Sequence, residues 1–139
     1  MRKYSRVLIT GGAGFIGSHV AEYLSHKKFE VTVVDNLLRG KKENISPLLD
    51  RGVRFVNADV RDYDLIKNHF VGVDLVFHLA ATVGVKFATS RPLEVLDNNI
   101  DSLRNVLKAS VNGKVRKVID ASSSEVYGDI ETVPMAEDL

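Results

Sequence analysis

Short apolar runs recur along the chain, separated by longer stretches in which apolar residues fall three and four apart. The runs Val7–Thr10, Val31–Asp35, Val53–Asn57, Leu75–His78 and Val115–Asp120 read as strands. Helices are predicted over Gly14–Lys27, Lys42–Arg51, Asp62–Phe70 and Pro92–Asn112. This alternation marks βαβ units and a parallel sheet. Ile16, Val20 and Leu24 share one face of the first helix. On the last, Leu93, Leu96, Ile100, Leu103, Val106 and Leu107 make one apolar stripe, and Pro92 suits a first helical turn. Right-handed crossovers put helices on both faces of the sheet, with a predicted strand order 3-2-1-4-5. Glu131 to Leu139 reads as a surface loop.

The first apolar run breaks into Thr10-Gly11-Gly12-Ala13-Gly14-Phe15-Ile16-Gly17 and then enters a helix. Such a turn is built to hold a pyrophosphate. Gly11 permits the tight turn, Gly14 lets backbone approach the phosphates, and Gly17 lets the helix pack on the strand. The helix N-terminus adds free N–H groups and a positive dipole end. The second run ends in Asp35, about twenty residues beyond the glycines, where the fingerprint places a ribose-binding carboxylate. A carboxylate there repels a 2′-phosphate, so the expected cofactor is NAD, not NADP. The fold class expected is α/β, a doubly wound, Rossmann-like parallel sheet over residues 1–139, incomplete at its C-terminus.

Bulk properties narrow the reading. A chain of 139 residues makes one domain with one core, and 45% hydrophobic with 27% charged residues fits an ordinary globular protein. A net charge of +1 gives no case for nucleic acid or an anionic membrane. The absence of cysteine removes disulfides, thiolate catalysis and Cys-based metal sites. No metal site is expected. No apolar stretch reaches membrane-span length, and Met1 to Arg6 carry no signal-peptide core, so a cytoplasmic location is expected.

In a doubly wound sheet the ligand lies beyond the carboxyl ends of the strands. Each predicted strand ends in something small or polar. These are the glycines, then Asp35-Asn36 with the basic loop Leu37 to Lys41, then Asp59-Val60, then His78-Leu79-Ala80-Ala81, then Ser122 to Gly128. This convergence marks a site at that edge. Together with Asp97-Asn98-Asn99, these segments resemble the extended short-chain dehydrogenase/reductase family. More narrowly, they resemble its NAD-dependent epimerase/dehydratase branch, which acts on nucleotide sugars. The resemblance covers essentially the whole chain.

The resemblance implies roles. Gly11, Gly14, Phe15, Ile16 and Gly17 line the pyrophosphate. Asp35 and Asn36 hold the adenosine ribose. Asp59 and Val60 border the adenine, although Asp59 could instead cap the next helix. Leu79, Ala80 and Ala81 run beneath the nicotinamide side. Asn98 or Asn99 touches the site from the long helix, unless Asn99 only satisfies backbone in a neighbouring loop. Ser123 matches the family's catalytic Ser/Thr, and Glu125 either assists chemistry after oxidation or is a solvated turn residue. His78 reads as a packed strand-end histidine.

The family's reaction is transient oxidation of a sugar hydroxyl. A tyrosine takes the proton, a lysine four residues on lowers its pKa, and the Ser/Thr orients the hydroxyl. Tyr23…Lys27 and Tyr63…Lys67 have that spacing but lie on the wrong helices, and four residues after Tyr127 stands Glu131. The expectation is a chain cut off before the Tyr-x-x-x-Lys helix and the substrate lobe, able to bind NAD but not to turn over. Ser122-Ser123-Ser124 before Val126-Tyr127-Gly128 looks like 4-epimerases, while Glu125 looks like the decarboxylases and 4,6-dehydratases. The dehydratases carry Asp where this chain has Ser124. The implied substrate is a nucleotide sugar, a UDP-sugar above others, and the full-length protein is expected to be a homodimer through its long helix. A non-catalytic NAD-sensing module is the alternative reading.

Overall fold

The computed structural model describes residues 4–128 together with Pro134 and Ala136. Apart from those two residues, the surface loop expected over Glu131–Leu139 lies outside the described residues. The elements run β1 (Arg6–Thr10), α1 (Phe15–His26), β2 (Glu30–Asp35), α2 (Lys42–Leu49), β3 (Arg54–Asn57), α3 (Tyr63–Ile66), β4 (Leu75–His78), α4 (Val85–Ser90), α5 (Pro92–Asn112) and β5 (Lys117–Asp120). A 3₁₀ turn, Lys67–Phe70, continues α3, and another, Ser124–Tyr127, follows β5. The five strands are all parallel, in the order β3-β2-β1-β4-β5. This is the predicted order.

The period-2 alternation of side chains sorts the core into two layers. Val7 and Ile9 of β1, Val31 and Val33 of β2, and Leu75 of β4 point to one face. They pack there with Ala21 and Leu24 of α1 and Ile45 and Leu48 of α2. Leu8, Val34 and Val76 point to the other, against Ile66, Phe70, and Val106 and Ala109 of α5. Both faces are therefore covered near the sheet centre, as a parallel sheet requires. Asp74 pins the entry of the central strands by accepting from the Ser5 and Arg6 N–H groups at 2.8 and 2.9 Å.

Several boundaries differ from the sequence reading, each for a hydrogen-bonding reason. The Val53 N–H goes back to the Leu48 carbonyl and the Val115 N–H to the Ser110 carbonyl. Each of these N–H groups closes the preceding helix and not a ladder, and β3 and β5 start later than expected, at Arg54 and Lys117. The helix expected over Asp62–Phe70 is four α-helical residues that tighten into a 3₁₀ turn. The helix expected over Lys42–Arg51 stops at Leu49, where Arg51 and Gly52 bond back three residues. Helix α4 has no counterpart in the sequence reading. The stripe on α5 needs correcting too. Only Val106 of the six is fully buried, and Leu93, Leu96, Ile100 and Leu107 are exposed. Ser102, Val106, Ala109 and Ser110 form the buried face. Three of these four are small, which lets α5 sit close to the sheet and turns its large apolar residues outward.

Candidate dinucleotide site at the C-terminal sheet edge

The glycine turn joins β1 to α1 beneath the segment that leaves β4. Gly11 has φ +68° and donates its N–H to the Val34 carbonyl at 2.9 Å. A Cβ on it would lie 2.7 Å from the Ala80 nitrogen, so backbone of the Leu79–Ala80 segment crosses the turn at contact distance. A Cβ on Gly17 would meet Gly12 Cα at 2.6 Å, so the helix rests directly on the turn. Gly14 is the N-cap of α1. The helix has no side-chain cap and no acidic residue in its first turn, which leaves its leading N–H groups for an outside acceptor. The side chains of Phe15 and Ile16 are 79% and 66% exposed. They line an apolar groove on α1 with His19, Val20, Tyr23, Leu24 and Phe77 of β4. What Phe15 and Ile16 offer to a phosphate is therefore backbone N–H.

Asp35 ties three segments together. It is 7% exposed. Its Oδ2 accepts from the Ala13 N–H at 3.0 Å and its Oδ1 from the Leu37 N–H at 2.8 Å. Gly40 folds over it, where a Cβ would stand 2.7 Å from Oδ1. A carboxylate has about four acceptor positions. Two are engaged here, and the others can take ribose hydroxyls.

Asn36 leads to a polar chain along the edge. Its side-chain amide donates to Asp59 Oδ2 at 2.9 Å, and its Oδ1 accepts from the Leu38 N–H. Arg61 grips Asp59 through backbone N–H, Nε and Nη2, at 2.8, 2.9 and 2.7 Å, and reaches Asn98 Oδ1 through Nη1 at 2.5 Å. Asn105 donates to the carbonyls of Val60 and Arg61. The Val60 side chain is buried in the α5-side core. The cap of α3 is Asp62, which accepts from the Asp64 and Leu65 N–H groups, so Asp59 does not serve as one. The sequence reading assigned no role to Arg61. Its signal is the acid-x-Arg spacing, Asp59 to Arg61, which lets one guanidinium fold back onto the carboxylate.

The Arg61 hydrogen bond holds the Asp59 carboxyl down, from an ordinary 3.8 to about 2. A carboxyl whose folded pKa lies below its unfolded value stabilises the fold fully above the unfolded pKa. That contribution is lost as pH falls through the folded pKa. The window here runs from about pH 4 to about pH 2. NMR titration of the Asp59 carboxyl should give a midpoint near 2 in the native chain, rising toward 3.8 in Arg61→Ala. A native midpoint at or above 3.8 would rule out the grip.

At the ends of β1 and β4, Thr10 Oγ1 lies 2.6 Å from His78 Nδ1 and accepts from the Leu79 and Ala80 N–H groups. With those N–H groups donating in, the Thr10 hydroxyl hydrogen points to His78 Nδ1, which acts as acceptor. Burial pushes the His78 pKa down, against the pull of nearby Asp120. His78 is thus a packed, neutral strand-end residue. Leu79 packs on one core layer and Ala80 on the other, while Ala81 is exposed. Asn99 donates to the Thr82 carbonyl and accepts from its N–H, so it supports the loop after β4.

Ser123 and Glu125 stand apart at the end of β5. Both are exposed, and Ser123 Oγ accepts from the Glu125 N–H at 3.3 Å as the cap of the 3₁₀ turn. The structure brings together Gly11, Gly14, Gly17, Asp35, Leu79 and Ala80, and links Asn36, Asp59 and Asn98 through Arg61. No hydrogen bond among the described residues joins Ser123 or Glu125 to either group. The two Tyr-x-x-x-Lys pairs sit elsewhere. Lys27 lies over the Tyr23 ring on α1, and the Tyr63 hydroxyl accepts from Asn112 at the far end of α5. Among the described residues, no group of three His, Asp or Glu side chains is placed to hold a metal ion, and no helix is long and apolar enough to cross a membrane.

Sheet order, crossover pattern and glycine turn define a doubly wound, Rossmann-like domain. The chain belongs to the NAD dependent epimerase/dehydratase family, whose family model matches residues 7–139. It is 44% identical over 137 residues to the UDP-N-acetyl-alpha-D-glucosaminuronate decarboxylase of Bacillus cytotoxicus, covering 96% of this chain and 40% of that protein. It is 33% identical over 133 residues to the UDP-glucose 4-epimerase of Halalkalibacterium halodurans, covering 94% and 38%. Among solved structures, the Bifidobacterium longum UDP-glucose 4-epimerase in complex with NAD+ and UDP superposes with a TM-score of 0.88. The two are 34% identical, over 96% of this chain and 42% of that one. The chain thus spans about 40% of the length of the curated relatives it matches.

Proposed function

We propose that this chain is the NAD-binding part of a nucleotide-sugar enzyme that works by transient oxidation of a sugar hydroxyl, with 4-epimerisation of a UDP-sugar, an isomerase reaction, as the favoured outcome. The observation that carries the reading is the knot of Gly11, Gly17, Asp35 and the Leu79–Ala80 backbone at the sheet's carboxyl edge. It leaves an uncapped helix N-terminus and a carboxylate with acceptor positions to spare, which fits a dinucleotide's pyrophosphate and ribose. In this reading Asn36, Asp59, Val60 and Asn98 flank the adenosine half, and Leu79, Ala80 and Ala81 the nicotinamide half. NAD, when bound, supplies reversible hydride acceptance. Ser123 orients the reacting hydroxyl, and Glu125 acts after oxidation. The proposed setting is cytoplasmic.

Decarboxylation is the second reading. It is favoured by Glu125 and by 44% identity to a UDP-sugar-acid decarboxylase. A 4,6-dehydratase is disfavoured by Ser124, and a non-catalytic NAD-sensing module is the reading that remains if a full-length protein shows no turnover. The exposed residues Leu93, Leu96, Ile100 and Leu107 follow near-heptad spacing along α5. We assign them to a helical contact with a second copy in the full-length protein.

Calorimetric titration with NAD and NADP tests the cofactor site. NAD should bind and NADP should bind at least about tenfold more weakly, on the order of one lost charged contact. Binding of neither, by a chain that circular dichroism shows to be folded, would refute the reading. Product analysis with UDP-glucose and UDP-glucuronate, using a full-length protein that carries this segment, separates epimerase from decarboxylase.

A further inference from the structure

The first half of helix α5 overhangs the core. The buried residues of the helix are Ser102, Val106, Ala109 and Ser110, so residues 92–101 contribute none. Helix α4, which precedes it, contributes none either, and no side-chain cap closes the α5 N-terminus. Among the described residues, side-chain hydrogen bonds tie this half to the rest of the domain at two places. Asn98 Oδ1 accepts from Arg61 Nη1 at 2.5 Å, and Asn99 bonds the N–H and the carbonyl of Thr82. A segment with so little apolar burial sits at the low-stability end of a fold, where opening is local.

The Asn98 tether leads straight to the end of β3. Arg61 gives Nη1 to the helix and Nε and Nη2 to the Asp59 carboxylate. Asp59 also accepts from the Arg61 N–H and from the Asn36 amide. A carboxylate has about four acceptor positions. All are filled here, so Asp59 cannot turn unless Arg61 or Asn36 lets go. Asn36 directly follows Asp35, so the bonded chain runs from the acid at the end of β2 to α5.

The helix meets the guanidinium with more than one group. Glu94 and Asp101 lie one turn to either side of Asn98. Their charges join the Asp59 hydrogen bond in raising the Arg61 pKa, against burial. Arg61 is thus held between a carboxylate at a strand end and an acidic stretch of the overhanging helix.

We propose that Arg61 is a positioning residue that couples the adenosine end of the cleft to the first half of α5. On the NAD reading above, a base lodged against Asp59 and Val60 fixes the carboxylate. The fixed carboxylate holds the guanidinium, and the held guanidinium gives Asn98 an ordered partner. Occupancy of the adenosine end therefore orders residues 92–101. By linkage, an ordered helix tightens the adenosine end by the same factor. The inference rests on the NAD reading and gives that site an output. Leu93, Leu96 and Ile100, assigned above to the contact with a second copy, all ride on the ordered segment.

Amide hydrogen exchange of the 139-residue chain, read at residues 93–101 with and without saturating NAD, tests it. In wild type NAD should slow exchange there at least about fivefold, the lower end of ordinary coupling. Arg61→Lys keeps a cation beside Asp59, but one ammonium lacks the planar fork that serves Asp59 and Asn98 together. The slowing should be lost in this variant at saturating NAD. Asn98→Ala cuts the tether from the helix side and leaves the grip on Asp59. It too should lose the slowing, while its Asp59 carboxyl still titrates at about 2. A general loosening of the edge would move both readouts. Wild type that binds NAD with unchanged exchange at residues 93–101 overturns the inference. Slowing that survives in either variant also overturns it, because order would then reach α5 by another path, such as Thr82 and Asn99. A folded wild-type chain that does not bind NAD refutes the NAD reading itself, and the inference falls with it.

Discussion

Asp35→Ala is expected to destabilise the chain by roughly 2–4 kcal/mol and to weaken NAD binding at least about tenfold, with less discrimination against NADP. The stability loss comes from the buried Ala13 N–H and the half-buried Leu37 N–H, which lose a charged acceptor at 3.0 and 2.8 Å. Each orphaned buried donor costs on the order of 1–3 kcal/mol. Asp35→Asn should lie between Ala and wild type, because its amide oxygen satisfies one of the two N–H groups while its NH₂ faces the other. Urea melts give the stability order, and calorimetry below each variant's transition gives the binding. A variant that keeps full affinity for both cofactors would remove Asp35 from the ribose site while leaving its structural role intact. The same carboxylate does both jobs, so neither measurement alone interprets the mutation.

Gly11→Ala should cost more than a glycine substitution of equal φ elsewhere. The left-handed conformation at φ +68° costs an L-residue about 1–2 kcal/mol. The new Cβ would also stand 2.7 Å from the Ala80 nitrogen and 2.8 Å from the Leu79 carbonyl carbon. Both are backbone atoms and cannot swing away, so overpacking adds about 1–3 kcal/mol. The internal control is Gly52, at φ +86°, where an added methyl would have nothing within 4 Å. Gly52→Ala carries only the backbone term. Urea unfolding should therefore place Gly11→Ala below Gly52→Ala, and NAD binding should be lost only in the former. Equal destabilisation of the two would show that the β4 segment yields easily, contrary to the close crossing seen over the turn.

Much of this site is legible in the sequence because its signals are local. The glycines, the acid at the end of β2 and the five apolar runs each report their own backbone, and right-handed crossovers turn them into one strand order. Helix α5 can be bounded at Pro92 and Asn112 because a proline opens it and Gly113 closes it. What is not legible depends on a second segment. Nothing in the run Val85 to Ser90 marks a helix, since none of its residues is buried and no periodic face exists to read. The stripe on α5 reads as core because a hydrophobic face looks the same in sequence whichever surface it meets. Ser102, Ala109 and Ser110 show their part only once the sheet lies beside them. Arg61 is unreadable as a partner for a similar reason. A guanidinium's target is set by where other strands end.

The central position of β1 has a consequence for how the chain is made. This strand emerges first, and its inner neighbour β2 follows soon after. Its other neighbour, β4, pairs Thr10 with His78 across a separation of 68 residues. Until then one edge of the central strand of the sheet is bare, and loop-closure entropy opposes its completion. A nascent chain that has not yet reached β4 has an unpaired apolar edge of the kind that recruits other chains. Misassembly during synthesis should therefore concentrate in the interval before Leu75–His78 leaves the ribosome.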